Sequence, residues 1–155
     1  MVARLNRDSS TAKKAQQMKN RLQGLMVTDA KAFKKIHTLY QKKTSCCAPV
    51  YQKALENAAT PPEQICIITA QATKLALSQK NKTSQWLMSD LKESVILLKA
   101  SFESARFNVN VNLKGFHDHA AAKKIDGRLN KEYAGLLKNG RRILDQAWQR
   151  KPRKY

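Results

Sequence analysis

Apolar residues recur at spacings of three and four along almost the whole chain, which is the period of an amphipathic α-helix. In the N-terminal stretch these positions are Ala12, Ala15, Met18, Leu22 and Leu25. Gly and Pro are scarce, with 5 and 4 residues among 155, and this disfavours the turn-rich chains of β architectures. A chain of this length fits one domain that buries a core without cross-links. The sequence therefore predicts an all-α, single-domain helical bundle.

Capping residues predict where the first helices begin. Ser9 or Ser10 can cap a first helix, and Thr28 or Asp29 a second. A third helix is expected in the segment APVYQKALENAA. The segment TPPE that follows has the residues of a further helix start, with an N-cap Thr, a Pro at the first helical position and a capping-box Glu.

The C-terminal half divides less clearly. Residues 83–107 are expected to form a long helix whose seven-residue apolar rhythm is more typical of a core than of a docking face for a partner. NVNVNLKG alternates apolar and polar residues and is expected to be an extended connector. Gly127, Gly135 and Gly140 weaken the pattern after it, so two or three short helices or one kinked helix are expected. The whole chain is then a bundle of about six or seven helices.

Charge is the unusual feature of the composition. Lys and Arg number 30 against 11 Asp and Glu, a net charge of +19 at pH 7. Residues 1–53 carry +10, residues 54–110 carry +1 and residues 111–155 carry +8. We therefore expect one domain over 1–155 with a neutral helical core at 47–107, basic helical flanks at 1–46 and 111–155, and a basic tail at 151–155. Self-repulsion on this scale opposes compaction, so a polyanionic partner is the simplest explanation.

This charge distribution predicts a non-enzymatic protein that binds nucleic acid, DNA or RNA, mainly through the phosphate backbone. Its expected role is architectural, packaging (nucleocapsid-like) or that of a ribonucleoprotein component, alone or within a homo-oligomer or larger assembly. The residues expected to contact nucleic acid are basic side chains of both flanks. They are Lys13, Lys14, Arg21, Lys31, Lys34, Lys35, Lys42, Lys43, Lys123, Lys124, Arg128, Arg141, Arg142, Arg150, Lys151, Arg153 and Lys154.

The alternative hypothesis is a protein-interaction module. An adaptor, effector or inhibitor with a basic helical face that binds an acidic protein partner would have the same composition. Trp148 continues the apolar stripe of its helix and is expected in the core. Tyr155 at the end of the tail is free either to pack or to stack on a base.

Motifs for catalysis or for metal binding are missing from the sequence. It contains no GxSxG nucleophile elbow, no GxxxxGK phosphate loop and no HExxH metal motif. His117 and His119 lie two residues apart and so point to different sides of a helix. Cys66 and the Cys46–Cys47 pair could in principle join a histidine to hold zinc, but their spacing resembles neither a zinc finger nor a zinc ribbon. The sequence therefore predicts no catalytic residue, no metal site and no cofactor.

Cysteine usage and hydropathy indicate the compartment. Three cysteines without a CxxC pair favour a reducing environment. The sequence has no apolar run of membrane-spanning length and no secretory h-region. We expect the cytoplasm or another reducing intracellular compartment, including a nucleoid, nucleoprotein particle or virion. A mitochondrial presequence in the basic N-terminal segment is a minor alternative.

Overall fold

Five α-helices make up most of residues 1–145, which are the residues that this computed structural model describes. Their bounds are Val2–Leu5 (α1), Ser9–Gln41 (α2), Pro49–Gln79 (α3), Met88–Leu113 (α4) and His119–Leu144 (α5). Two 3-10 turns, Lys80–Lys82 and Gln85–Leu87, connect α3 to α4. The described part of the chain contains no strand. The prediction of an all-α single domain is confirmed, but the expected six or seven helices are not observed in that part.

The two helices predicted before residue 44 are one helix of 33 residues, α2. Its N-cap is Asp8, one residue before the predicted serines, and the carboxylate accepts a hydrogen bond from the N–H of Thr11 at 2.9 Å. At the predicted second start, the hydroxyl of Thr28 donates to the carbonyl oxygen of Gly24 at 3.1 Å, which is a bond inside a continuing helix. The interior Gly24 costs the helix about 1 kcal/mol relative to Ala, which is too little to end a helix that contacts α3.

The next two predicted helices are also one helix, α3, which has 31 residues and continues through Pro61 and Pro62. The predicted cap is absent, because the hydroxyl of Thr60 donates to a carbonyl one turn earlier in the same helix. Proline has no N–H, so Pro62 leaves the carbonyl of Ala58 without its helical donor. Nδ2 of Asn112 on α4 lies 3.2 Å from that oxygen and supplies the missing hydrogen bond.

The extended connector predicted at NVNVNLKG is wrong, because α4 continues to Leu113. Val109 is fully buried, whereas Val111 is exposed. An alternating Asn/Val sequence is compatible with a strand on local grounds alone. Packing of Val109 against the core makes the helix the better structure.

Helix α5 is a single helix of 26 residues despite its glycines. Gly127 and Gly135 lie on its exposed side, where a methyl group in place of hydrogen would meet nothing within 4 Å. Gly140 is buried, and a Cβ there would lie 3.0 Å from Cγ1 of Val95. The glycines therefore do not divide the helix, and Gly140 lets α5 approach α4 closely.

Helix α3 lies at the centre and contacts α2, α4 and α5. The buried apolar side chains come mainly from α3, α4 and α5. Helix α5 contributes Leu129, Leu136 and Ile143, each at most 1% exposed, although it lies in a segment predicted to be a basic flank. No helix within residues 1–145 combines the length and apolar character needed to cross a membrane.

Candidate functional site

A groove of about 470 Å³ lies between α2, α3 and α4, with α1 at one end. It forms where the apolar faces of these three helices lie opposite one another and leave space between them. Its walls are mostly apolar and half-buried, as is typical of small-molecule sites. The principal wall residues are Ala15, Met18 and Leu22 from α2, Ala72, Leu75 and Ala76 from α3, and Leu91 and Leu98 from α4.

A few polar side chains enter this apolar groove. Thr11 comes from α2, Gln79 from the end of α3, and Asp90 and Ser94 from the start of α4. Lys19 lies on the more exposed edge. These groups come from three different helices, α2, α3 and α4, so no short sequence motif links all of them.

Gln79 connects neighbouring segments at the polar end of the groove and is only 2% exposed. Its Nε2 donates to Oδ2 of Asp8 at 2.9 Å and contacts Oγ1 of Thr11 at 3.3 Å. Its Oε1 accepts a hydrogen bond from Nδ2 of Asn6 at 3.1 Å. Gln79 therefore holds the start of α2 against the end of α3 and fixes the position of the Thr11 hydroxyl.

Asp8 carries the strongest electrostatic perturbation near the groove. The hydrogen bond from the N–H of Thr11 contributes most to holding the pKa of its carboxyl well below the usual range, followed by the bonds from Lys82 and Gln79. Nζ of Lys82 lies 2.9 Å from Oδ2 of Asp8. Asp8 is thus a charged structural group at the rim of the groove and not a proton donor.

Asp90 is the carboxylate that lines the groove itself. It lies in the first turn of α4, where the helix dipole stabilises a negative charge. Asp90 is half-buried, in a groove whose lining is mostly apolar. A carboxylate in this setting can pair with a cationic ligand and can accept a proton from water.

The residues predicted to bind nucleic acid are distributed over the surface. Those that the structure describes are exposed, and they lie on α2, on the turn after it and on α5. Exposure is the ordinary condition of Lys and Arg, so it does not support a binding role. The described residues are Lys13, Lys14, Arg21, Lys31, Lys34, Lys35, Lys42, Lys43, Lys123, Lys124, Arg128, Arg141 and Arg142. Arg150, Lys151, Arg153 and Lys154, together with Trp148 and Tyr155, lie outside the described residues.

Two of these basic side chains have structural partners on α3. Nη2 of Arg21 donates to Oε1 of Gln64 at 2.7 Å. Arg128 forms an ion pair with Glu63, which is 7% exposed. Glu63 therefore does not act as a capping-box residue. Arg21 and Arg128 join α2 and α5 to neighbouring positions of the central helix.

The groove residues were not identified by sequence reasoning. Thr11, Gln79, Asp90 and Ser94 belong to no recognisable catalytic motif, and their separation along the chain gives no local signal. One sequence feature could have pointed to the groove: Asp90 lies at the start of a helix whose apolar residues are strongly periodic. That position is also explained by helix-dipole stabilisation alone.

Comparison with known proteins identifies relatives. Residues 6–131 match the family model described as Formiminotransferase-cyclodeaminase. The methenyltetrahydrofolate cyclohydrolase of Methylorubrum extorquens is 30% identical over 131 residues, which cover 80% of this chain and 61% of the relative. The crystal structure of formiminotetrahydrofolate cyclodeaminase from Thermotoga maritima has the same fold, with a TM-score of 0.78 at 23% identity over 86% of this chain and 67% of that chain.

These comparisons contradict the functional hypothesis drawn from charge. The hypothesis of a non-enzymatic nucleic-acid-binding or ribonucleoprotein role, with nucleic acid as the partner, is wrong, and so is the alternative of a protein-interaction module. The matching family is described as Formiminotransferase-cyclodeaminase, and the similar proteins are named as enzymes that act on tetrahydrofolate derivatives. The error has a physical cause. Net charge describes the solvated surface, whereas a small-molecule site is a few side chains from distant parts of the chain.

Proposed function

The chain belongs to the formiminotransferase-cyclodeaminase family, and on that premise we propose that it hydrolyses the methenyl bridge of methenyltetrahydrofolate. The relative that carries this activity in its name is 30% identical to the chain over 131 residues. The chain spans 61% of the length of that relative. We propose this activity for the groove between α2, α3 and α4.

The positive charge of the proposed substrate explains why a carboxylate is needed in an apolar groove. The methenyl carbon joins two ring nitrogens, and the three atoms share one positive charge. Water adds to this carbon, one C–N bond breaks, and the products are a formyl group on one nitrogen, an N–H on the other and one released proton. A carboxylate beside the cation stabilises it and can accept the proton of the attacking water.

Asp90 is the residue that we assign to this role. It is the acidic side chain among the groove residues, and it lies in the first turn of α4. After accepting a proton from water it can return that proton to the departing nitrogen. The same carboxylate then acts as base and as acid in the two halves of the reaction.

The rest of the groove suits the other parts of a folate. A fused, nearly planar ring system can lie between the apolar walls formed by Met18, Leu75 and Leu98. The Thr11 hydroxyl, fixed by Gln79, can hydrogen-bond to a polar ring edge. Lys19 at the exposed edge can bind the carboxylates at the glutamate end of the substrate.

The observation that carries the proposal is the extent of the family match. Residues 6–131 include every groove residue from Thr11 to Leu98. The cavity between α2, α3 and α4 is therefore built from the segment that the family shares.

The test is hydrolysis of methenyltetrahydrofolate by the purified chain, followed as loss of the methenyl chromophore above the uncatalysed rate. Asp90→Asn is expected to lower kcat by roughly 10²- to 10⁴-fold, the range that a general acid–base residue contributes. The matched control is Glu93→Gln, an exposed carboxylate one turn further along α4, which should retain the activity. A wild-type chain that gives no acceleration, or an Asp90→Asn variant with unchanged kcat/KM, would contradict the proposal.

We also retain a reducing compartment as the expected location. Support comes from the three cysteines, which are all free, with Cys46 and Cys47 exposed. Glutathione and thioredoxin keep exposed thiols reduced in such a compartment.

A further inference from the structure

Two loops at the far end of α2 from the groove meet each other. Residues 42–48 join α2 to α3, and residues 114–118 join α4 to α5. Gln52, in the first turn of α3, connects them: its Nε2 donates to the carbonyl oxygens of Cys46 (2.7 Å) and Gly115 (2.9 Å). Its Oε1 accepts a hydrogen bond from the backbone N–H of His117 at 2.9 Å.

The second loop is also fixed by the core. Phe116 is 5% exposed and packs with Leu55 and Ala59 of α3. Gly115 lies so close to Leu55 that a Cβ would approach its Cδ1 to 2.8 Å. The backbone of His117 is therefore positioned both by a buried neighbour and by the bridging amide of Gln52.

This arrangement brings together three side chains that bind soft metal ions. The ligand atoms of Cys46, Cys47 and His117 all lie within 4.8 Å of one another. The two Sγ atoms are 3.9 Å apart. Two sulfurs bound tetrahedrally to zinc at about 2.3 Å are separated by roughly 3.8 Å, so the thiols already have the spacing that one ion requires.

We propose that Cys46, Cys47 and His117 bind one zinc ion, which joins the α2–α3 loop to the α4–α5 loop and leaves the fourth coordination position open to water. Two thiolates and an imidazole form a ligand set that favours Zn²⁺ over Mg²⁺ or Ca²⁺. Two thiolate charges balance the charge of the ion. Gln52 is a positioning residue, because it holds the backbone of both loops without being a ligand.

The proposed ion is separate from the folate groove. The groove ends on α2 at Met26, and α2 continues to Gln41, a distance of about 22 Å at 1.5 Å per residue. The metal site is therefore assigned a role in joining loops and not in hydrolysis. Its test does not depend on whether the chain is a cyclohydrolase.

The sequence alone did not predict this site. The spacing between Cys47 and His117 matches no zinc-binding motif, and the third cysteine, Cys66, is fully buried. Burial raises the pKa of the Cys66 thiol to about 12, which makes it a poor ligand. Only the meeting of two loops brings His117 to the cysteine pair.

The experiment is a titration of the reduced, metal-free chain with Co²⁺, followed by displacement with Zn²⁺. We expect one equivalent to bind and to give the intense visible bands of tetrahedral cobalt together with thiolate-to-cobalt charge transfer. Cys46→Ser, Cys47→Ser and His117→Ala should each abolish this spectrum. Gln52→Ala should weaken Zn²⁺ binding by roughly tenfold, as loss of a supporting hydrogen bond does at other zinc sites.

The matched control is His119→Ala, which removes an exposed histidine two residues from the proposed ligand and should leave the spectrum unchanged. Circular dichroism establishes that each variant is folded. Zn²⁺ should also raise the Tm of the wild-type chain and not that of the ligand variants. Absence of saturable binding, or binding by His117→Ala as tight as that of the wild type, would overturn the proposal.

Discussion

The carbonyl oxygen of Ala58 shows how a single side chain decides the course of a helix. Pro62 removes its normal donor, and the side chain of Asn112 replaces it from another helix. The same Asn112 amide also contacts the carbonyl of Asn108 at 3.0 Å. A pair of prolines that usually begins a helix is thereby kept inside α3.

Removing this amide should destabilise the fold. Asn112→Ala leaves a buried carbonyl unsatisfied and should lower the free energy of unfolding by about 1–3 kcal/mol. Asn110→Ala, at an exposed position of the same helix, is the control and should change it little. Urea unfolding measures both. Pro62→Ala restores the backbone N–H at position 62, so in that background Asn112→Ala should lower the free energy of unfolding by less. An equal decrease in both backgrounds would rule out this role of the Asn112 amide.

Asp8 gives the molecule a defined response to acid. Its pKa is lower in the folded chain than in the unfolded one, so the unfolded state binds more protons as the pH falls. The stabilisation is complete above the unfolded pKa, near 4, and is lost as the pH falls below it.

The Asp8→Asn variant tests this response. Asparagine can still cap α2 but cannot pair with Lys82. The wild type should therefore be more stable than the variant near neutral pH, and the difference should shrink between about pH 5 and pH 2. Urea unfolding across this range measures it. A difference that stays constant with pH would show that the charge of Asp8 does not contribute.

At the scale of elements, helix ends were the least predictable feature. Thr28, Thr60 and the Asn/Val repeat all have local properties of a boundary, yet each lies inside a helix. A cap contributes about 1 kcal/mol, whereas burying one side chain of the size of Val109 contributes roughly 1.5–3 kcal/mol. At the Asn/Val repeat, packing of Val109 therefore overrides the local signal for a boundary.

Helix α5 offers a comparison between glycines. Gly135→Ala and Gly127→Ala should each raise the free energy of unfolding by about 0.5–1 kcal/mol, because both sites are open and alanine favours the helix. Gly140→Ala should lack this gain, because its Cβ would press on Val95. Thermal or urea unfolding of the three variants measures the order. An equal increase in the free energy of unfolding at all three sites would show that α4 and α5 can move apart at Gly140 without an energetic penalty.

At the scale of the whole molecule, the net charge of +19 is a property of the surface and did not indicate the function. The matching family is described as Formiminotransferase-cyclodeaminase, and the relative from Methylorubrum extorquens is named for tetrahydrofolate chemistry. The cations still affect the energetics, because like charges on a compact chain repel each other.

Salt should therefore stabilise the protein. Raising NaCl from low concentration to about 0.15 M shortens the screening length to about 8 Å, and the urea midpoint should rise as repulsion is screened. Lys34→Glu and Lys42→Glu, exposed on α2 and just after it, should each reduce this dependence while changing stability in moderate salt by less than about 0.5 kcal/mol. A midpoint that falls with added salt would show that attractive ion pairs outweigh the repulsion.

The amino-acid sequence by itself determined that the chain is helical and which faces of its helices are apolar, as Leu129, Leu136 and Ile143 on one stripe of α5 illustrate. These properties depend on residues three or four apart, and such spacing is visible in one dimension. Tertiary structure decided that α3 passes through two prolines, that Asp90, Thr11 and Gln79 share one groove, and that His117 lies beside Cys46 and Cys47. Each of these depends on contacts between residues far apart in the chain, and their formation depends on how the helices pack.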